Sequence, residues 1–377
     1  MSELWHAKIH SITALHRRGP GKGQFALEKL SRIVREFVMI EGACAAGIAT
    51  VKTLEGGPQS SDLAYVLPNA KSAVSYAVAI DQKLIPPYLM KKKRLALEKE
   101  FIRANVLASG IALHLANYLT QKGYSSVPVA ANNVFRPPAP DTASDYIADL
   151  YYPDISHRYL AVRSGVGHMG LSGNIITKSQ GAAVILGAAV TTAQLVPTLP
   201  LPPEENYCDD CRICMASCVA GFMNLREKTS ISLGGLEVMY SKRRNYGRCD
   251  LVGSGYTGLH SSGKWSTWSP GRFDIPKSDD KLRAAHERMQ VAHGKWPASA
   301  GGRYFYFSDE KLRVSCANCQ LVCCPDKDER KARYKMLTES GVVLQNSDGS
   351  LDAVSPKNAD KRLASMSVTQ RALYQDI

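Results

Sequence analysis

Two short runs hold eight of the ten cysteines, and their spacing is that of a metal centre. The first run reads Cys208-Asp-Asp-Cys211-Arg-Ile-Cys214-Met-Ala-Ser-Cys218, and the second Cys316-Ala-Asn-Cys319-Gln-Leu-Val-Cys323-Cys324. Three thiols at successive three-residue steps, with a fourth after four, supply three ligands to one iron–sulfur cubane and the fourth to its neighbour. The expected ligand sets are Cys208, Cys211, Cys214 and Cys323 for one [4Fe–4S] cluster, and Cys218, Cys249, Cys316 and Cys319 for the other. Zinc held by four cysteines also uses Cys-x2-Cys pairs and is the competing reading; the run of steps favours two clusters. One ligand stays open, because spacing points to Cys323 whereas the following Pro325 points to Cys324. Val219 likewise stands where a proline is usual. Clusters of this kind carry electrons singly, so electron transfer is the chemistry expected.

Composition narrows the setting. The 377 residues, 45% hydrophobic and 21% charged, suffice for one large domain or two ordinary ones. Cysteines crowded at metal-like spacing argue against a disulfide framework and for a reducing compartment. No apolar stretch reaches membrane-spanning length. Arg17-Arg18 is followed by Gly-Pro-Gly-Lys-Gly, not by the apolar run of an export signal. A cytoplasmic protein with no membrane partner is expected. The net charge of +13 gathers at Lys91–Arg94, Lys242–Arg244 and Arg330–Lys335. Solvated helix faces explain such runs as well as RNA, an acidic electron donor or a phosphate-bearing cofactor does.

The elements that must position the thiols follow from periodicity. Residues 1–40 read as an N-terminal helical segment, with Phe25, Leu27, Leu30, Ile33, Val34 and Phe37 at helical spacing. A strand is expected at Ala73–Ile80, then a helix at Phe101–Lys122 with Ile102, Val106, Ile111, Leu115, Tyr118 and Leu119 on one face, stopped by Gly123. Further strands are expected at Ser125–Ala131, Asn174–Thr177 and Ala183–Val190. Strands alternating with helices predict an α/β (α+β) layered domain over residues 41–200. The Pro-rich Val196–Pro203 then leads to a cysteine module at 201–335. Its Gly/Ser/Trp-rich insertion at 250–300 fits a binding loop or lid and a plain surface loop equally. Residues 336–377 read as a C-terminal tail.

Several segments carry a family resemblance. Leu67–Ser75 resembles the Leu-Pro-Gly-Ala-Lys-Ser strand entry of the epoxyqueuosine reductase and reductive dehalogenase superfamily, and Leu115–Tyr124 resembles its following helix. Leu160–Asn174 is similar to its glycine-rich segment, and Gly187–Thr192 to the strand after it. With the cysteine runs and Cys249 in the same order, the resemblance spans roughly residues 40–330. It implies a nitroreductase-like cobalamin-binding domain with an inserted or appended bacterial ferredoxin-like module carrying two [4Fe–4S] clusters. It further implies that Gly165, Gly167, His168, Gly170, Gly173 and Asn174 lie at the corrinoid, where glycines let backbone approach a macrocycle. Tyr151 falls where epoxyqueuosine reductases place a catalytic aspartate. Reductive dehalogenases use a tyrosine acid beside a cation, which Tyr151 with Arg158 or Arg163 would match; Asp154 is the alternative if a small gap intervenes. Tyr151-Tyr152 as packed aromatics and His168 as an ordinary hydrogen-bonded histidine are the plain readings.

The function expected is reductive cleavage of a carbon–halogen or carbon–oxygen bond of a small molecule, with electrons from a donor such as ferredoxin or flavodoxin. The leading alternative is epoxyqueuosine reduction on tRNA, disfavoured by Tyr151 and by the fifty or so residues after the last cysteine, too few for a helical-repeat tRNA-binding tail. A non-catalytic corrinoid or electron-transfer protein is a third reading.

Overall fold

Alternation along one strand decides the layering. A computed structural model describes residues 27–131, 153–299, 311 and 316–377. Strands β1 (Ala45–Thr50), β2 (Ser72–Ala79), β3 (Ser126–Val129) and β6 (Val184–Thr191) form a sheet in the order β1-β2-β6-β3, every pair antiparallel. In β2, Val74, Tyr76 and Val78 enter one hydrophobic core while Ala73 and Ala77 enter another, as a period of two requires. The helices Leu27–Ile40 and Leu95–Gln121 close the first core, and the short helix His157–Arg163 covers the opposite face. Gly187 leaves room for Tyr76, since a Cβ there would lie 2.5 Å from its ring. The fold is mixed α/β.

Three expectations about elements need correction. The long helix starts at Leu95, because Glu98 and Glu100 are neutralised by Arg94 and Arg103 and the charged stretch is thereby helical. Its buried stripe runs through Leu97, Phe101, Ala104, Ala108, Ile111, Leu115 and Leu119. Val106 falls outside that stripe and is 67% exposed. Strand β1 was not foreseen, its Ala- and Gly-rich sequence having little β character. The four expected strands and the Gly123 stop (φ +89°) lie close to where periodicity puts them, whereas the strands at His168–Met169, Met223–Leu233, Leu236–Arg243, Val342–Gln345 and Leu351–Val354 were also not foreseen. Residues 1–26 of the expected N-terminal segment lie outside the described residues.

After β6 the chain carries the cysteines. Strands β4 (His168–Met169) and β5 (Ile175–Ile176) bracket the glycine-rich loop. Between Cys218 and Cys249 a long hairpin projects, β7 (Met223–Leu233) and β8 (Leu236–Arg243). Its tip is Gly234-Gly235, both at positive φ, the turn that such a hairpin favours. The tip docks on the first domain: Leu233 is fully buried in the second core and Gly234 N–H donates to Glu55 O at 2.8 Å.

The insertion and the supposed tail are one unit. Helices Tyr246–Gly253, Leu282–Gly294 and Pro356–Ala364 share a core with β9 (Val342–Gln345), which pairs with β10 (Leu351–Val354). Leu251, Met289, Trp296, Val342, Leu363 and Tyr374 fill that core. Trp265 and Trp268 leave it for the first domain's core, where the Trp268 indole donates to Tyr88 O at 3.2 Å. The described parts of residues 250–300 are therefore packed structure. Among the described residues, no helix is long and apolar enough to cross a membrane.

Candidate functional site

The first cysteine run turns on two left-handed residues, Asp210 (φ +56°) and Arg212 (φ +59°), which bring its thiols to one side. Cys208, Cys211, Cys214 and Cys323 border one small cavity together with Gly170, Leu171, Ser172 and Arg330. Donors point at this group: Leu171 N–H lies 3.3 Å from Cys208 Sγ, Arg330 Nη1 3.7 Å from Cys211 Sγ and the Tyr207 hydroxyl 3.8 Å from Cys323 Sγ. Burial pushes the Cys323 thiol up to about 12, with the Tyr207 hydrogen bond opposing and the neighbouring Cys208 and Cys211 adding to it. Cys214 is raised by burial, then by Cys319 of the second set and by Cys323, Cys208 and Cys211.

The second set also converges. Cys249 is an exposed residue, and its thiol is shifted upward by loss of solvent at the sulfur and then by Cys319 and Cys218; Cys316 is raised by burial and by Cys319, Cys249 and Cys218. Asn174 Nδ2 stands 3.5 Å from Cys319 Sγ, and Asn318 Nδ2 donates to Ser217 O at 3.3 Å, tying the two runs together. Met215, Ala220, Phe222, Met223 and Val252 form an apolar shell in which Val219 packs, the position where a proline is usual. Among the described residues, no three His, Cys, Asp or Glu side chains gather as a single metal ion requires. Cys208, Cys211, Cys214 and Cys323 border one cavity, and Cys218, Cys249, Cys316 and Cys319 lie near enough to perturb one another; a polynuclear cluster would take its thiolates on separate irons.

Geometry separates the two adjacent cysteines. Cys323 faces the small cavity, whereas the Cys324 thiol donates to Asp326 O at 3.5 Å and has Arg333, Glu329 and Arg330 for neighbours. Cys323 is held by the first domain: its carbonyl accepts from Ala182 N–H at 3.0 Å, and a Cβ on Gly181 would come within 2.4 Å of the same oxygen.

Cys316 and Cys319 also form part of the wall of a second cavity of about 890 Å³. Other walls come from Pro153 and Ile155–Tyr159, from Gly173–Ile175, from β6, and from Thr229, Tyr240, Lys242 and Arg243 of the hairpin, with Tyr246 beside them. Arg243 Nη1 donates to the Tyr246 hydroxyl at 2.7 Å. Tyr246 is 36% exposed; partial loss of solvent opposes its ionisation, but Arg158 and Arg243 outweigh it and hold the hydroxyl below the ordinary tyrosine value. Burial likewise works against the charge of Arg158, yet Tyr246, Tyr159 and Cys319 leave its pKa above the usual one. Arg243 is depressed by burial and by Arg158, and its buried Nε has no hydrogen-bond partner.

The expected residues fare differently. Arg158 is in the large cavity's wall, and Asp154 lies between two wall residues, Pro153 and Ile155. Tyr151 lies outside the described residues. Arg163 turns away, its Nε donating to Thr53 O and Leu233 O at 2.9 and 3.2 Å. Gly173 and Asn174 line the large cavity and Gly170 the small one; Gly165, Gly167 and His168 line neither. The glycines serve close packing within the chain itself: a Cβ at Gly165 would meet Leu199 O at 2.3 Å, and one at Gly173 would meet Arg243 Nη2 at 2.1 Å. The sequence did not single out Tyr246 or Arg243 as chemistry, although both lie within six residues of Cys249 and Arg243 belongs to a noted basic run.

No family model matches the chain. A 64-residue stretch, 17% of this chain, is 39% identical to an epoxyqueuosine reductase of Atelocyanobacterium thalassa (isolate ALOHA) and covers 20% of that protein. Among solved structures, the catabolic reductive dehalogenase NpRdhA is 11% identical with a TM-score of 0.48, over 85% of this chain and 37% of the dehalogenase. An epoxyqueuosine reductase with an epoxyqueuosine-modified tRNA stem loop is 16% identical with a TM-score of 0.40, over 91% of this chain and 74% of that one. This chain thus spans well under two thirds of the curated relative and of the dehalogenase. The relatives found are epoxyqueuosine reductases and reductive dehalogenases, the superfamily that Leu67–Ser75 and Leu160–Asn174 resemble.

Proposed function

We propose that the chain is a cobalamin-dependent iron–sulfur reductase that cleaves a carbon–halogen or carbon–oxygen bond of a small molecule. One observation carries the reading: the second thiol group opens on a large cavity in which two arginines flank the Tyr246 hydroxyl. The residues fit the groups the reading needs. Soft thiolates in two rings suit iron–sulfur clusters, and N–H donors aimed at Sγ suit their negative charge. The cavity's volume lies in the upper part of the range of small-molecule and cofactor sites, and the orphaned Arg243 Nε is a buried donor in its wall.

In this reading residues 41–200 form a nitroreductase-like cobalamin-binding domain and 201–335 a ferredoxin-like module. Cys323, not Cys324, completes the first ligand set. Gly173 and Asn174 would hold the corrinoid, with Gly165, Gly167, His168 and Gly170 shaping the loop behind them. A bound corrinoid supplies the low-potential chemistry of bond cleavage. Each ligand set has one exposed cysteine, Cys211 in the first and Cys249 in the second, within reach of a ferredoxin or flavodoxin, while Cys316 and Cys319 put the second set at the large cavity. Reduction of a carbon–halogen bond consumes two electrons and one proton and releases halide. Tyr246 gives that proton to the carbon as its O–H bond breaks, and Arg158 and Arg243 stabilise the phenolate left behind. Tyr151 and Asp154 are the competing donors.

A second reading, epoxyqueuosine reduction on tRNA, is favoured by the 39% identical stretch and the +13 charge. Anaerobic reconstitution with iron, sulfide and hydroxocobalamin, followed by assays on brominated phenols and on an epoxyqueuosine stem loop, tests both. Halide release is expected, lost in Tyr246→Phe by a factor of about 10²–10⁴ with corrinoid absorption retained. Turnover of the stem loop alone selects the second reading. Cluster bands without corrinoid uptake would sink both.

A further inference from the structure

Arg330 is buried beside the first thiol group, where the function proposed above uses it only as one of several donors aimed at sulfur. It sits in the first turn of the helix Lys327–Thr338 and is 4% exposed. Its Nη1 lies 3.7 Å from Cys211 Sγ, and its two Nη atoms stand 3.1 and 3.5 Å from the carboxylate oxygens of Asp209. The guanidinium lies 5.5 Å from the centre of the Tyr207 ring, whose hydroxyl reaches Cys323 Sγ. Its Nε is buried with no hydrogen-bond partner. A buried cation needs close compensation. Asp209 provides it only in part, being about one-third exposed and shared with Lys327 at 3.2 Å. The thiols of Cys211 and Cys323 lie close enough to contribute, and an anionic group held by them would supply the remainder.

We infer that Arg330 sets the reduction potential of the cluster held by Cys208, Cys211, Cys214 and Cys323, keeping it above the value those thiolates would give alone. This rests on the iron–sulfur reading. A cubane on four thiolates is already anionic and gains one more negative charge when it takes up one electron. A fixed cation against a ligand sulfur favours the reduced form, the more so where burial lowers the local dielectric. Arginine keeps its proton throughout, so the electron enters without a proton at this residue. Asp209 acts in the opposite sense by offsetting the guanidinium.

An EPR-monitored redox titration of the reconstituted chain tests the assignment. Arg330→Gln moves the midpoint of one cluster negative, Arg330→Lys stays nearer the parent, and Asp209→Asn moves it positive. The cluster held by Cys218, Cys249, Cys316 and Cys319 shifts less in all three. If Arg330→Gln fails to assemble, Asp209→Asn, which keeps the arginine, still decides: a positive shift supports the inference, and an unmoved or negative one overturns it. A parent chain with no EPR-active cluster overturns the iron–sulfur reading itself, whereas intact clusters with unmoved potentials overturn only the role of Arg330.

Discussion

Cys323 and Cys324 share a chemistry and a place in the chain, and only their neighbours tell them apart. Cys323 meets Cys208 and Cys211, while Cys324 turns to Asp326. The other ligand candidates were legible because Cys-x2-Cys spacing is local. The Tyr246 pairing with Arg158 was not, since those residues are distant in sequence and no periodic pattern joins them. Lys91 is another residue whose meaning is set by tertiary surroundings: within a basic run that reads as solvated, it is 8% exposed, left-handed at φ +55°, and its ammonium donates to Ser340 Oγ. Burial lowers its pKa to about 7, against about 10.4 in an unfolded chain. Between those values the unfolded chain binds the extra proton, so stability rises with pH. Below about pH 7 both states are protonated and the full penalty, on the order of 5 kcal/mol as an upper bound, is present. Urea titrations from pH 6 to 10 should show the parent gaining on Lys91→Met as pH rises. Parallel curves would mean that Lys91 is not buried as described.

Elements were legible where one face is buried and hidden where a turn does the work. The β2 and β6 runs announced themselves by apolar length, and Gly123 by its place after a helical stripe. The hairpin β7–β8 takes its register from the Gly234-Gly235 turn, but the docking of its tip rests on contacts at Glu55 and Arg163 that no local pattern predicts. Gly181 is the sharper case. At φ +63° it lets the turn before β6 lie against the Cys323 carbonyl. Gly181→Ala should therefore cost about 1–3 kcal/mol and also displace Cys323, lowering iron at the first cluster in preference to the second. Gly123→Ala is the control, since φ is +89° but nothing lies within 4 Å of its Cβ position; it should cost about 1 kcal/mol and leave iron unchanged. Equal iron loss in both variants would separate Gly181 from the ligand.

Across the whole molecule, the third core joins chain segments that sequence alone divided into an insertion and a tail. Pairing residues 250–300 with 342–377 leaves no periodic trace, because each segment supplies only part of a buried face. The consequence for the site is mechanical. Leu251, on the helix that carries Cys249, is buried in this core, so the position of Cys249, the ligand proposed for a second cluster, depends on packing far from either cysteine run. Trp296 is central to it: 2% exposed, stacked on Tyr374 at 5.2 Å, its indole donating to Leu373 O at 2.7 Å. Trp296→Ala should cost about 3–5 kcal/mol, and Trp296→Phe, which keeps a ring against Tyr374, distinctly less. Since metal binding and folding are coupled, the alanine variant should yield iron from the second cluster to a chelator sooner than the parent, while the first cluster, whose ligands lie outside this core, resists. Cluster-resolved EPR during chelation reads the order of loss. If both clusters bleach together, the third core supports the whole metal module and not the Cys249 side alone.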